Sequence, residues 1–81
     1  MASQVFSLNR NGKDIHVVVN WSRWSYDGDV KVDGKVVVRW IKGKWVPRKV
    51  EFKIGDEEAE IVRTGWLIEK WFLLVAGKKI E

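Results

Sequence analysis

The sequence predicts an all-β fold: an antiparallel two-sheet β-sandwich of about eight short strands joined by hairpins. Short segments alternate apolar and polar side chains with a period of two, which is typical of strands with one buried face. Dipeptides such as Asn11-Gly12 and Asp33-Gly34 separate these segments at regular intervals and supply the positive φ angles of tight hairpin turns. The same pattern fits a closed barrel, so the sequence leaves sandwich and barrel open.

Four strands are predicted in the first half of the chain. In the second of them, Ile15, Val17, Val19 and Trp21 point to one face, and His16, Val18, Asn20 and Ser22 to the other. The predicted strands cover residues 5–8, 15–22, 30–33 and 36–41. The turns between and after them are placed at Asn11-Gly12, Asp27-Gly28, Asp33-Gly34 and Lys42-Gly43.

The second half is clear at residues 49–54 and ambiguous at residues 56–76. The acidic start at Asp56 is compatible with a helix N-terminus, and Gly77 with a helix end. Gly65 divides this stretch, however, and its apolar residues recur mostly at even spacing, which favours two strands over helix. A short last strand is predicted at residues 78–80.

The apolar positions of these strands give a predicted core. Six of the 81 residues are tryptophan, and large aromatic side chains bury much area in a small domain. Trp21, Trp40 and Trp71 continue faces that are otherwise aliphatic, whereas Trp24 and Trp45 lie in turn-like contexts. The predicted core comprises Ile15, Val17, Val19, Trp21, Val36, Val38, Trp40, Phe52, Ile54, Ile61, Leu73 and Val75.

Length and composition limit the classes of function. Residues 1–81 fit a single domain, and 46% hydrophobic residues are too many for a disordered chain. Without cysteine there is no disulfide, thiol nucleophile or thiolate zinc site. The N-terminus lacks signal-peptide features, and the longest apolar run, residues 71–76, is far shorter than the ~20 residues of a membrane helix. We therefore expect a cytoplasmic protein without a membrane contact.

No catalytic, cofactor or metal site is predicted. The single histidine, His16, lies in a valine-rich strand, where a surface role is favoured over that of a catalytic base. Asp27, Asp29 and Asp33 lack the spacing of a calcium loop and are interpreted as turn residues. The glycines are isolated and form no phosphate-binding loop. The sequence thus predicts a protein that is not an enzyme.

Cations and aromatic residues alternate around two of the turns, in a chain of formal charge +4. Bases stack on aromatic faces and cations follow phosphates, so this pattern is compatible with single-stranded nucleic-acid or polyanion binding. The alternative is that these residues are structural. The candidate binding surface comprises Arg23, Trp24, Lys42, Lys44, Trp45 and Arg48.

A second candidate surface follows from the last long strand, which is apolar on both faces. Phe72 and Leu74 lie opposite Trp71, Leu73 and Val75. Such a strand either crosses the centre of the fold or exposes an apolar patch. Phe72 and Leu74 are therefore candidates for self-association, with a homodimer or another protein as the partner.

Several motifs together resemble a domain of the Fas apoptotic inhibitory molecule family. The matching segments are Val5-Phe6-Ser7-Leu8, the turn Asn11-Gly12, the hairpin at residues 30–35, Phe52-Lys53-Ile54-Gly55, Ala59-Glu60-Ile61 and the tail at residues 71–78. The resemblance implies an eight-stranded antiparallel β-sandwich without enzymatic activity. It also implies a role through protein contacts, in survival signalling or in binding misfolded protein. The expected function is thus a protein-interaction module, with nucleic-acid or polyanion binding as the alternative.

Overall fold

In a computed structural model, the chain forms eight β-strands in two antiparallel four-stranded sheets. The structure describes residues 2–22, 27–41, 48–65 and 70–80, and these ranges contain no helix. The strands are β1 (Ala2–Arg10), β2 (Lys13–Trp21), β3 (Gly28–Val32), β4 (Lys35–Trp40), β5 (Lys49–Ile54), β6 (Glu57–Thr64), β7 (Lys70–Val75) and β8 (Lys78–Ile80). The predicted all-β class, with eight strands in two antiparallel sheets, is confirmed. The chain divides into two compact units, Met1–Val46 and Pro47–Glu81, with one sheet in each.

Sheet 1 is a meander with the strand order β1-β2-β3-β4. Two of its connections are two-residue turns, Asn11-Gly12 and Asp33-Gly34, as predicted. Both residues of each turn have positive φ, at 56° and 78° in the first turn and 50° and 82° in the second. That is the requirement of a type I′ turn, whose twist matches the twist of the flanking strands.

One face of sheet 1 is buried. Its side chains come from alternate positions of each strand, as the period of two requires. The buried residues are Phe6, Leu8, Val17, Val19, Trp21, Val30 and Trp40. Val17, Val19, Trp21 and Trp40 are confirmed as core residues, and Phe6, Leu8 and Val30 are additions to the predicted set. Ile15 is only half-buried because the β2–β3 ladder begins at Val17, which leaves Ile15 with a neighbour on the β1 side alone.

The prediction that Val36 belongs to the core is wrong. Between Val30 and Lys31 the β3–β4 register shifts, so that Val30 pairs with Val38 but Lys31 pairs with Val36. Val37 is the extra residue of this bulge, and a one-residue shift turns the following side chains to the opposite face. Val36 therefore lies on the outer face, 37% exposed. Val38 keeps the inner face but is half-buried, because β4 is an edge strand.

Gly28 is a strand residue, and the turn predicted at Asp27-Gly28 is wrong. Gly28 opens β3 and pairs with Trp21 on one side and Trp40 on the other. Its φ is outside the left-handed region. A side chain at this position would collide with the carbonyl oxygen of Asn20 and the indole ring of Trp40. The glycine is thus required for close packing and not for a turn.

Sheet 2 is a second meander, with the order β5-β6-β7-β8. Residues 57–64 and 70–75 of the ambiguous stretch are strands, as favoured, while residues 66–69 lie outside the described part. Gly55, with a φ of 61°, opens the β5–β6 turn. The buried side chains again share one face: Val50, Phe52, Ile54, Ala59, Ile61, Trp71, Leu73 and Val75. Every core residue predicted for this sheet is buried.

The β7–β8 turn uses an unusual residue, and this suggests a stabilising substitution. Ala76 has a φ of 51°, a region in which an alanine side chain costs about 1–2 kcal/mol. Asparagine tolerates this region, and Asn-Gly is the preferred type I′ pair. Ala76 is exposed and bonds through its backbone N–H to the carbonyl oxygen of Glu58, a contact that asparagine keeps. We expect Ala76→Asn to stabilise the fold by about 1 kcal/mol, measured as a rise in Tm of about 4–8 °C by circular dichroism.

The control for this prediction is Ala76→Val. A β-branched side chain is strained at positive φ, so valine is expected to lower Tm. If both substitutions raise Tm, residue 76 does not have a positive φ.

Candidate functional site

Most of the predicted binding surface lies outside the described residues. This applies to Arg23, Trp24, Lys42, Lys44 and Trp45. Arg48 is described, and it is an exposed residue immediately before β5. In the sequence, the other five residues follow β2 and β4.

The described tryptophans are core residues. Trp21 and Trp40 are buried in sheet 1, and Trp71 is buried in sheet 2. The prediction that these three continue the aliphatic faces is confirmed. None of the three has the exposed ring face that base or sugar stacking requires.

The outer face of sheet 1 carries a row of three valines and one lysine that crosses all four strands. Strand register places Val5 opposite Val18, Val18 opposite Lys31, and Lys31 opposite Val36. Val5 is 59% exposed, and Val18 is half-buried. We call these four residues the valine row. Val37, at the bulge beside it, is also exposed.

Lys31 places one positive charge inside the valine row. Its side chain is half-buried between Val18 and Val36. Within the described ranges, no carboxylate forms an ion pair with the Lys31 ammonium. The acids nearest in sequence are engaged elsewhere: Asp29 accepts a 2.9 Å hydrogen bond from Asn20 Nδ2, and Asp33 Oδ2 lies 3.9 Å from Lys13 Nζ. The row therefore presents aliphatic surface with a charge that a partner is able to neutralise.

The predicted self-association residues lie on the outer face of sheet 2. Phe72 and Leu74 are both half-buried. The Lys79 ammonium lies 4.0 Å from the centroid of the Phe72 ring, in cation–π geometry. Lys79 also pairs in register with Leu74. A lysine from β8 thus covers part of the patch that the sequence predicts to be free.

The same face carries an ion-pair network centred on Lys49. Lys49 Nζ lies 3.2 Å from Glu60 Oε2 and 3.3 Å from Glu51 Oε1. Hydrogen bonds to Glu60 and then to Glu51 raise the pKa of Lys49 above its ordinary value of 10.5. Lys49 therefore stays charged at neutral pH and is committed to these glutamates, so it adds no free cation to the neighbouring Arg48.

His16, Asp29 and Asp33 lie in the strands and turns of sheet 1. His16 is exposed, and its backbone N–H donates a 3.0 Å hydrogen bond to Asp33 Oδ1, which fixes the β3–β4 turn against β2. Asp33 is a turn residue, as predicted, whereas Asp29 lies within β3. In the described ranges, no group of three or more histidine, aspartate or glutamate side chains is placed to hold a metal ion.

Comparison with family models, curated proteins and solved structures finds no match to this chain. In the part of the chain that the structure describes, no helix has the length and apolar character needed to span a membrane.

Proposed function

We propose that this chain is a non-enzymatic protein-interaction module and that the valine row is its contact surface. One observation carries the proposal: the exposed large hydrophobic side chains of the described residues, Val5, Val36, Val37 and Ile41, all belong to the unit that contains sheet 1. Val5 and Val36 lie in a single cross-strand row. Exposed apolar side chains gathered on one sheet mark protein contacts more often than singly scattered ones do.

The chemistry of the row defines the partner. Neighbouring strands lie about 4.8 Å apart, so the row from Val5 to Val36 extends over about 14 Å, the reach of a short peptide segment. Lys31 lies within the row and selects for a negative charge at that point. The partner is therefore a protein segment in which aspartate or glutamate is flanked by aliphatic residues.

The resemblance to the Fas apoptotic inhibitory molecule family supports the same class of function. The two sheets together have eight strands, which is the number that the resemblance implies. A role through protein contacts also agrees with the burial of Trp21, Trp40 and Trp71, which removes three of the six tryptophans from any stacking surface.

Selection from a displayed peptide library tests this proposal. The wild-type chain is expected to enrich peptides that carry an acidic residue between aliphatic residues. Lys31→Glu is expected to enrich basic residues at the same place, because the charge that selects them is reversed. Val36→Thr replaces a methyl group by a hydroxyl at nearly constant shape. It should lower the affinity for a selected peptide about fivefold, as measured by isothermal titration calorimetry.

Val62→Thr is the matched control, since Val62 is a half-buried valine on the outer face of sheet 2. It should leave peptide affinity within twofold of the wild type. Equal losses of peptide affinity in Val36→Thr and Val62→Thr would refute the proposal. So would a peptide consensus that is the same for either sign of the charge at residue 31. Light scattering of the free protein reports separately whether a second copy of the chain occupies the row.

A further inference from the structure

Sheet 2 has a cationic cleft at one end, distinct from the valine row. Its described walls are Arg48, Arg63, Thr64 and Gly65, and its volume is about 540 Å³. That volume lies in the range of sites for small ligands, about 300–1,000 Å³. In the described part of the chain, no carboxylate lines it.

The backbone fixes the two arginines relative to each other. The Arg63 N–H donates a 2.8 Å hydrogen bond to the carbonyl oxygen of Arg48, so the start of β5 is held against the end of β6. Arg48 is exposed, whereas Arg63 is half-buried. Arg63 also pairs across the ladder with the fully buried Trp71, which places it at the end of the buried face. One arginine is thus half-buried at the edge of the core, and the other is open to solvent.

The remaining walls leave room for a ligand. Gly65 contributes no side chain, and its φ of 85° turns the chain out of β6. The Thr64 hydroxyl donates to the Lys70 carbonyl oxygen at 3.4 Å, and Thr64 pairs with Lys70 in register. Lys70 is exposed beside the cleft and adds a third cation at this end of the sheet. Lys49, the next residue after Arg48, is engaged by Glu51 and Glu60.

We propose that the Arg48–Arg63 cleft binds a phosphate group. A guanidinium group has planar pairs of N–H donors that match the oxygens of a phosphate, with bidentate geometry that lysine does not provide. The partial burial of Arg63 strengthens its attraction for an anion, because solvent screens it less. The phosphate belongs to a small free anion or to the backbone of a single-stranded nucleic acid.

Calorimetric titration with pyrophosphate and with a single-stranded oligothymidylate distinguishes these sources. If the cleft takes a nucleic-acid backbone, both probes bind and compete with each other. If it takes a free anion, pyrophosphate alone binds. If two cations contact the phosphates, raising the salt concentration from about 50 to about 200 mM should lower the affinity for the oligonucleotide about sevenfold.

Substitutions locate the site. Arg48→Gln should lower the affinity for each probe at least fivefold. It should also reduce the salt dependence of oligonucleotide affinity by about half, since one of two contacts is lost. Arg63→Lys keeps the charge and removes the fork, so it should also weaken binding at least fivefold. Arg39→Gln is the control, because it removes the same charge from an exposed position on sheet 1. It should change affinity less than twofold.

The proposal fails if neither probe binds at low salt, or if Arg39→Gln and Arg48→Gln weaken binding equally, since net charge alone would then explain the affinity. It also fails if the affinity for the probes does not change with salt concentration. Because Arg63 is half-buried, circular dichroism checks that Arg63→Lys is folded. If it is unfolded, Arg48→Lys, at an exposed position, tests the need for the guanidinium fork in its place.

Discussion

Replacing Gly28 with alanine is expected to destabilise the fold by about 3 kcal/mol or more. The added methyl group would overlap with the Asn20 carbonyl oxygen and with the Trp40 ring, whose Cε2 atom lies 2.7 Å from the new carbon. The backbone contact cannot relax by a change of rotamer, so β2 and β3 must separate. For a chain of 81 residues the total free energy of unfolding is roughly 4–12 kcal/mol, so the loss is a large fraction of it. Urea denaturation followed by circular dichroism measures this loss.

Gly34→Ala is the matched control for Gly28→Ala. No atom lies within 4 Å of a side chain built at Gly34, so the substitution there meets no steric obstacle. Its cost comes only from the positive φ of 82°, about 1–2 kcal/mol. If Gly28→Ala costs no more than Gly34→Ala, Trp40 does not pack against β3 as described.

Trp71→Ala is expected to cost about 3–5 kcal/mol, the range for removing a large aromatic side chain from a core. Trp71 has no exposed surface and is the largest fully buried side chain of the described residues. Trp71→Phe should cost less, because most of the cavity stays filled. The measurement is again the free energy of unfolding in urea.

The neighbouring residue supplies the control for Trp71. Phe72 lies on the opposite face of β7, half-buried, with the Lys79 ammonium over its ring. Phe72→Ala should therefore cost about 1–2 kcal/mol. If Phe72→Ala is the more destabilising of the two alanine substitutions, the faces of β7 are assigned the wrong way round.

The sequence predicts the strands and turns of this fold well where side-chain alternation and turn chemistry agree. In β5, Val50, Phe52 and Ile54 alternate with charged residues, and each of the three is buried. Asn11-Gly12 and Asp33-Gly34 adopt the predicted positive φ angles. At these places the local preference of each residue and its position in the sheet favour the same conformation.

Prediction failed where one residue changed the register. Val36, Val37 and Val38 are three apolar residues in succession, and strict alternation assigned Val36 and Val38 to one face. The bulge at Val37 separates them, because Lys31 pairs with Val36 while Val30 pairs with Val38. The run of three valines was the signal that alternation is broken in β4. Gly28 shows a second limit of sequence-based prediction. It packs against Trp40, and the residues next to Gly28 in the sequence do not indicate this contact.

The residues of each candidate surface are brought together by strand pairing, so the composition of the chain does not reveal them. The valine row joins β1, β2, β3 and β4, and no segment of the sequence contains it as a motif. The Arg48–Arg63 cleft likewise joins the residue before β5 to the end of β6, and the sequence indicated only Arg48. Phe72 and Leu74 were placed on the correct face, but the lysine that covers the ring comes from β8.

The meander order of both sheets also bears on how the chain folds. Among the described ladders, none joins residues farther apart in sequence than Ala2 and Trp21, and every strand pairs with a neighbour along the chain. Loop closure therefore costs little entropy at each step, so strand pairing should be fast for a protein with so much β-structure. Hairpins with type I′ turns are able to form early and independently in each sheet. A mispaired edge strand is then corrected by opening one ladder, whereas an inner strand must leave two.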